Sequence, residues 1–257
     1  MSAPEVLPVS VIPAATVVVF RHCPQGGPPQ LLMLQRSKTM RFAGGAAVFP
    51  GGRIDPADRA LAARLLPDAD PEDSAARVAA VRETLEESGL AIATIRPVSA
   101  TEAAEARLFL EDQGDLAAVL DRFGWTLALD RLIPFARWCP QKDGAFDTHF
   151  YLADLGTGAV DIAVDDTENT HLFWASAAQA LAMAEAGDIS VIFPTQCNLQ
   201  RLAQFASFAE ARTHAERFPP ITITPRREMR GDTEYLTIPD DRGYPVTSMP
   251  MKAVKRG

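Results

Sequence analysis

The sequence predicts one α/β or α+β domain with a peripheral helical part. Three observations carry that expectation. Short apolar, β-branched runs open the chain at residues 15–20 (ATVVVF) and 30–35 (QLLMLQ). A strong helix pattern follows, opened by Pro71 and closed by Gly89. Helix-patterned and strand-patterned segments then succeed one another to residue 215. Of 257 residues, 47% are hydrophobic and 23% charged, the balance of a globular chain rather than a disordered or fibrous one.

Residues 15–20 suit a buried strand, and 30–35 its partner. Gly26, Gly27, Pro28 and Pro29 form the turn between them. Residues 40–55 then hold Gly44, Gly45, Gly51 and Gly52 around a short apolar strand at 46–49. Glycines at both ends of a brief strand imply close backbone approach or unusual dihedrals. Residues 55–73 are acidic and proline-bounded, an excursion with a helical stretch at 59–66. The helix opened by Pro71 takes Asp73 or Ser74 as N-cap. Its packing positions are Ala75, Val78, Ala79, Leu85 and Leu90, and Gly89 closes it in the left-handed region. Residues 101–123 are helical with a break near Gly114, and 125–138 return to the sheet. Residues 147–153 form a strand, and 175–186 and 199–215 form helices. Pro219 and Pro220 mark a boundary before a tail with strand-like pieces at 221–224 and 235–238. The expected division is a main domain over 10–215 and a C-terminal extension over 216–257.

Charge excludes several function classes. With 25 basic and 33 acidic residues the net charge is -8. Nucleic-acid backbones and anionic membranes are bound by neutralising phosphates, so neither is an expected partner. A small phosphorylated ligand is still allowed, because local field outweighs total charge. No run of about 18 apolar residues exists to span a bilayer. Residues 1–15 lack the basic start and apolar stretch of a signal peptide. Cys23, Cys139 and Cys197 are odd in number, far apart and without a Cys-x-x-Cys pair. A disulfide framework or zinc site is therefore not expected, and a reducing cytoplasm is the expected setting.

The most informative stretch is 81–90, VRETLEESGL. A helix turns about 100° per residue, so Glu83, Glu86 and Glu87 point to one side. Like charges so placed repel, and a divalent cation removes that penalty. Hard cations such as Mg²⁺ take oxygen ligands and bridge to substrate phosphates. Arg82 lies four before Glu86 and can brace it. A plain solvated acidic face is the alternative. The glycine-rich Phe49-Pro50-Gly51-Gly52 upstream and the defined helix end at Gly89-Leu90 favour the metal reading.

These residues resemble the Nudix hydrolase signature: Gly, five residues, Glu, seven residues, then Arg-Glu-apolar-x-Glu-Glu-x-Gly-apolar. The chain has Gly52, and then Arg82, Glu83, Glu86, Glu87, Gly89 and Leu90 at matching places. Thr84 takes the apolar position. Arg82 stands 30 residues after Gly52 rather than 14, so 16 are inserted. The early glutamate has no counterpart eight before Arg82, where Ser74 stands with Glu72 and Asp73 nearby. Outside the box, Leu34-Gln35-Arg36-Ser37, Met40-Arg41-Phe42, Gly45 and Phe49-Pro50-Gly51-Gly52 look like the coenzyme A diphosphatase branch. The box insertion, Arg137-Trp138-Cys139-Pro140, Phe146-Asp147-Thr148 and Pro194-Thr195 are similar to its peroxisomal animal enzymes and their bacterial relatives.

The resemblance implies an α+β fold, an α/β/α sandwich of a mixed sheet flanked by helices, with the insertion at about 55–73 as a helical excursion. It implies hydrolysis of a pyrophosphate in a nucleoside diphosphate derivative, foremost coenzyme A or acyl-coenzyme A. ADP-ribose or another nucleotide sugar is the alternative substrate, and a non-catalytic nucleotide sensor the alternative of another class. Mg²⁺ or Mn²⁺ is the implied cofactor, held by Glu83, Glu86, Glu87 and Glu168, with the Gly51 or Gly52 carbonyl as a further ligand. Arg82, Glu83, Glu86 and Glu168 are the implied catalytic residues. The general base is Glu83, Glu86 or Glu168, the last in an acidic loop six before Trp174. Arg36, Ser37, Arg41, Gly51 and Gly52 would hold the substrate phosphates, the arginines as bidentate donors. The partner is then a small nucleotide substrate, with no nucleic acid or membrane, and a homodimer is allowed. His22, His149 and His171 have no metal-like spacing and are assigned to packing or surface. Phe135, Trp138 and Trp174 are read as core, with stacking on adenine as the alternative. The terminal Val254-Lys255-Arg256-Gly257 is not a peroxisomal Ser-Lys-Leu-type signal, which keeps the expectation at the cytoplasm.

Overall fold

A computed structural model describes residues 10–36, 45–155 and 169–255. Ser37, Arg41 and Glu168 lie outside the described residues. The chain runs β1 (Ile12–Arg21), β2 (Gln30–Arg36), β3 (Ala47–Val48), β4 (Gly51–Arg53), α1 (Pro56–Leu65) and α2 (Pro71–Ser88). There follow α3 (Ala100–Gln113), α4 (Leu116–Phe123), β5 (Ile133–Trp138), β6 (Phe146–Asp154) and β7 (Asn169–Ala175). Then come α5 (Ala177–Ala186), α6 (Phe193–Leu202), α7 (Phe208–Arg217), β8 (Thr222–Ile223), β9 (Arg226–Arg230), β10 (Thr233–Thr237) and β11 (Ser248–Pro250).

The fold is α+β, a mixed sheet flanked by helices. The main sheet has eight strands, in the order β3-β2-β1-β6-β5-β8, with β4 on β1 and β7 on β2. The β1–β6 pair is parallel and the β1–β2 pair antiparallel. β1 and β2 meet only at Phe20–Leu31 and Arg21–Gln30. Toward their other ends they part, and β3 and β4 fill the opening, β3 on β2 and β4 on β1. This places Gly51 and Gly52 inside the sheet rather than on a rim.

Strand alternation sorts the sheet into two packed faces. Ala15, Val17, Val19, Leu32 and Leu34 face α2, where Ala75, Val78, Ala79 and Leu85 meet them. Val18, Phe20, Leu31 and Met33 face the layer of α5, α6 and α7. All five expected packing positions around α2 are buried, none more than 1% exposed. A buried Leu contributes about 1.5–3 kcal/mol, so α2 is fixed by packing and not by its weak amphipathicity.

Several boundaries differ from the sequence reading. The N-cap of α2 is Asp70, whose side chain accepts from the Asp73 amide at 2.7 Å. Pro71 explains this: it fits the first helical position, where no amide bond is required, so the cap lies before it. Gly89 does close α2, with φ 71°. The stretch at 199–215 is two helices, because Ser207 caps a new one by accepting from the Glu210 amide. Only Ile133–Trp138 of 125–138 is strand. Gly51–Arg53, read as the glycine-rich end of the 46–49 strand, is a strand of its own.

The tail returns to the main body. β8 pairs with β5 in parallel, and Ile223, Ile238, Tyr244 and Met249 join the second core face. The indole nitrogen of Trp138 donates to the Tyr244 hydroxyl at 3.3 Å, and that hydroxyl donates to Asn198 Oδ1 at 2.7 Å.

Candidate active site

The site grows from the two glycines of β4. A Cβ on Gly51 would lie 2.3 Å from the Ala15 carbonyl oxygen, and one on Gly52 would lie 2.3 Å from Glu83 Oε1. The first contact is with backbone that cannot move aside. The second shows where α2 sits: the Glu83 carboxylate occupies the space a side chain would take. The Gly51 amide donates to Glu87 Oε2 at 2.8 Å, tying α2 to β4 a second time.

Arg82 organises the rest. Its Nε and Nη2 donate to the two carboxylate oxygens of Asp58, both at 2.9 Å. Nη2 also donates to the Arg53 carbonyl at 2.9 Å. Nη1 donates to Glu83 Oε1 at 3.0 Å and to Glu86 Oε2 at 2.8 Å. A guanidinium has five N–H donors, so every one is engaged. Arg82 is 6% exposed and Asp58 1%. Burial works against the Arg82 charge, but Asp58, Glu83 and Glu86 outweigh it and hold the guanidinium charged beyond its ordinary range.

Asp58 is the functional residue that the sequence reading missed. Counting back from Arg82 reached Ser74, Glu72 and Asp73. Glu72 instead pairs with Arg59, and Asp73 bonds Arg77 and the Tyr151 hydroxyl. Counting forward from Gly52 reaches an acid after five residues, the interval of the signature, and that acid is Asp58. The extra 16 residues therefore lie between Asp58 and Arg82. Asp58 sits in the first turn of α1, where its Oδ2 also accepts from the Asp55 amide at 2.8 Å. Helix α1 lies against α2, and its Leu61 and Ala62 are buried in the same core.

The electrostatics are those of carboxylates held largely out of water beside one guanidinium. Desolvation pushes the Glu83 carboxyl up to about 8, Arg82 partly offsets this, and Glu87 and Glu86 add to it. Glu86 is raised as well, first by desolvation against the pull of Arg82, with Asp58 and Asp55 adding. One cation, Arg82, faces Asp58, Glu83 and Glu86 at bonding distance.

Among the described residues no three His, Cys, Asp or Glu side chains are arranged as a metal cage. The reason is visible. Glu83 and Glu86 each give one oxygen to Arg82, and Glu87 gives Oε2 to the Gly51 amide. The donor set still fits a hard divalent ion. It consists of oxygens only, and the Gly52 cradle holds Glu83 close to the backbone.

Arg36 ends β2. Its amide donates to the Ala46 carbonyl at 3.0 Å and its carbonyl accepts from Gly45 at 3.1 Å. Phe135 and Trp138 are core, at 0% and 2% exposure, and Trp174 lies under Arg21 at 4.2 Å. His149 stacks on Tyr151 and His171 on Phe173, while His22 is exposed.

No protein-family model matches the chain. Curated proteins do match, two of them as follows. It is 26% identical to chicken (Gallus gallus) acyl-coenzyme A diphosphatase NUDT19, over 84% of this chain and 73% of that protein. It is 29% identical to the human (Homo sapiens) protein of the same name, over 84% of this chain and 72% of that one. Among solved structures, a Nudix hydrolase from Alicyclobacillus acidocaldarius superposes with a TM-score of 0.67 at 28% identity, covering 80% of this chain and 96% of its own. A carboxylate helix locked to a Gly-Gly strand by a buried arginine, in a chain with these likenesses, is that of a Nudix pyrophosphohydrolase.

Proposed function

We propose that the chain is a divalent-metal-dependent diphosphatase of coenzyme A or acyl-coenzyme A. The products would be 4′-phosphopantetheine, or its acyl form, and adenosine 3′,5′-bisphosphate. The observation that carries the reading is the Asp58–Arg82–Glu83/Glu86 network facing Gly52. The likeness to the two acyl-coenzyme A diphosphatases supports the substrate.

Glu83, Glu86 and Glu87 would hold the metal, with Glu168 as the fourth carboxylate named by sequence. What a divalent ion supplies when bound is charge stabilisation on phosphoryl oxygens and a more acidic water. The chain's own residues do the positioning. Arg82 fixes the rotamers of Glu83 and Glu86 through Nη1, so the helix presents both carboxylates in one orientation. Asp58 fixes Arg82. Gly51 and Gly52 let backbone approach where a side chain would displace Glu83 or β1. The general base would be Glu83, Glu86 or Glu168, the carboxylates within reach of the attacking water directly or through one solvent molecule. Arg36, Ser37 and Arg41 would hold the phosphates.

The deciding experiment is a substrate panel of coenzyme A, acyl-coenzyme A, ADP-ribose, NADH and diadenosine polyphosphates, with metal omitted and restored. Turnover of coenzyme A only with Mg²⁺ or Mn²⁺ is the expected result. Turnover of another member alone would shift the substrate and keep the family. Absence of any turnover would favour a nucleotide-binding sensor.

A further inference from the structure

Arg201 differs from Arg82 in what surrounds it. Both are buried, Arg201 in the last turn of α6 at 1% exposure. Arg82 faces three carboxylates at bonding distance, whereas Arg201 faces none among the described residues. Its acceptors are neutral. Nη1 donates to the Phe135 carbonyl at 2.8 Å, Nη2 lies 3.3 Å from His214 Nδ1, and the Tyr244 hydroxyl is the third partner. Five N–H donors therefore meet three uncharged acceptors. The Phe135 and Tyr244 ring centroids lie 4.1 and 5.1 Å from the guanidinium carbon, and rings shield a cation without neutralising it.

A small cavity lies beside this group. Phe135, Arg201, Arg242 and Tyr244 are among its walls, and the exposed segment 219–221 forms its rim. About 10 Å³ is free, room for one guest the size of a water or a halide. Arg242 is the second observation. Its Nη1 pairs with Asp241 at 2.7 Å, but its Nε is buried and has no partner among the described residues. A buried donor left unpaired costs free energy.

We infer that this cavity binds one monatomic anion, chloride foremost, between Arg201 and Arg242. The inference is independent of the diphosphatase reading. Buried charges are normally paired, and here two guanidinium groups share one carboxylate, Asp241, whose side chain is 63% exposed. Desolvation disfavours the Arg201 charge, and only Tyr244 offsets it. The local field is thus cationic in a chain whose net charge is -8. No acidic side chain lines the cavity, so a metal cation finds no ligand there. A phosphate or sulfate needs more room than one atom, and a water would leave the charge unpaired. The position gives the anion a task. Phe135 of β5 and Arg201 of α6 belong to the main body, while 218–223 and 242–244 belong to the tail. An anion held by Arg201 and Arg242 fastens one to the other.

The test is a set of melting curves near neutral pH at fixed ionic strength, with sodium gluconate replaced stepwise by sodium chloride. An anion bound only by the folded chain raises the melting temperature by mass action, here by about 2–4 °C. Sodium bromide should act likewise. Arg242→Met should lose most of that gain, while general salt effects remain common to both proteins. Circular dichroism checks that the variant is folded. Should it not fold, crystals of the unaltered protein grown in bromide decide, with an anomalous peak expected between Arg201 and Arg242. An equal chloride response in a folded Arg242→Met, no chloride response in the unaltered protein, or a bromide map empty at that place overturns the assignment and leaves the cavity to water.

Discussion

Arg82 and Asp58 form a buried two-bond ion pair, 24 residues apart in sequence, and the same guanidinium carries Glu83 and Glu86 on its other nitrogen. Asp58 belongs to α1 and Arg82 to α2. The acid that anchors Arg82 of α2 therefore comes from the helix that leads into the extra 16 residues.

Removing Asp58 should cost both stability and rate. Breaking a buried pair by deleting one partner leaves an uncompensated charge, typically about 3–5 kcal/mol. Asp58→Ala should lose an amount of that order in urea unfolding. Asp58→Asn keeps the shape but removes the charge, so Nη1 loses its fixed orientation and turnover should fall about 10–100-fold, the scale seen when groups behind metal ligands are changed. Asp58→Glu should recover part of the rate. Equal turnover in Asp58→Asn and the unaltered enzyme would show that Arg82 needs no anchor.

The two glycines should fail differently. In Gly52→Ala the new methyl meets the Glu83 carboxylate, the end of a side chain. The fold should persist while activity drops. In Gly51→Ala the methyl meets the Ala15 carbonyl and Thr16 Cα, both backbone, at a φ of 153°. That change should lower thermal stability as well, because β1 would have to shift. Circular dichroism melts alongside turnover separate the two, and similar melts for both would contradict this account.

Much of this was legible in sequence for a stated reason. Helix periodicity places Glu83, Glu86 and Glu87 on one side whatever the fold, and a glycine after a helix marks its end. The Arg82–Glu86 bond follows from the same four-residue spacing. What was not legible depends on contacts between distant segments. Asp58 becomes a partner of Arg82 only once α1 lies on α2, and its interval from Gly52 was the available signal. The break at 203–207 was hidden because residues 199–215 keep a helical composition across it. The burial of Tyr244 against Trp138 and Asn198 joins residues 106 and 46 positions apart, beyond the reach of any local pattern.

The carboxylates of α2 give the third prediction. Glu86→Gln keeps the hydrogen bond to Arg82 available through its amide oxygen but removes a charge from the donor set. Hydrolysis should fall by about 100-fold or more, with the metal concentration for half-activity raised. Chelation should abolish activity in the unaltered protein, and Mg²⁺ or Mn²⁺ should restore it. Survival of full hydrolysis in Glu86→Gln would remove Glu86 from the metal site.

The tail supplies a pH prediction independent of catalysis. His214 lies 3.3 Å from Arg201 Nη2, and its ring is tilted against both Phe205 and Phe218 with centroids 4.8 Å away. Arg201 is buried, donates to the Phe135 carbonyl at 2.8 Å and lies over the Phe135 and Tyr244 rings. Desolvation, then the Arg201 and Arg217 charges, lower His214 to about 4. The unfolded chain, with an ordinary histidine near 6.5, binds the proton more readily than the folded one. The contribution of neutral His214 is therefore complete above about pH 6.5 and is lost as pH falls toward about 4. Carboxylates titrate over part of the same range, so the measurement is a difference. Melting temperatures of the unaltered protein and of His214→Phe, taken between pH 7 and pH 4, should diverge in slope, the variant falling less steeply. The same half-buried ring also packs against Gly243, where an added Cβ would lie 2.6 Å from His214 Cε1. Protonation there should loosen Tyr244 and with it the quenching environment of Trp138, so tryptophan emission should change over the same pH range. Parallel slopes in the two proteins would show that His214 is hydrated in solution and carries its charge without cost.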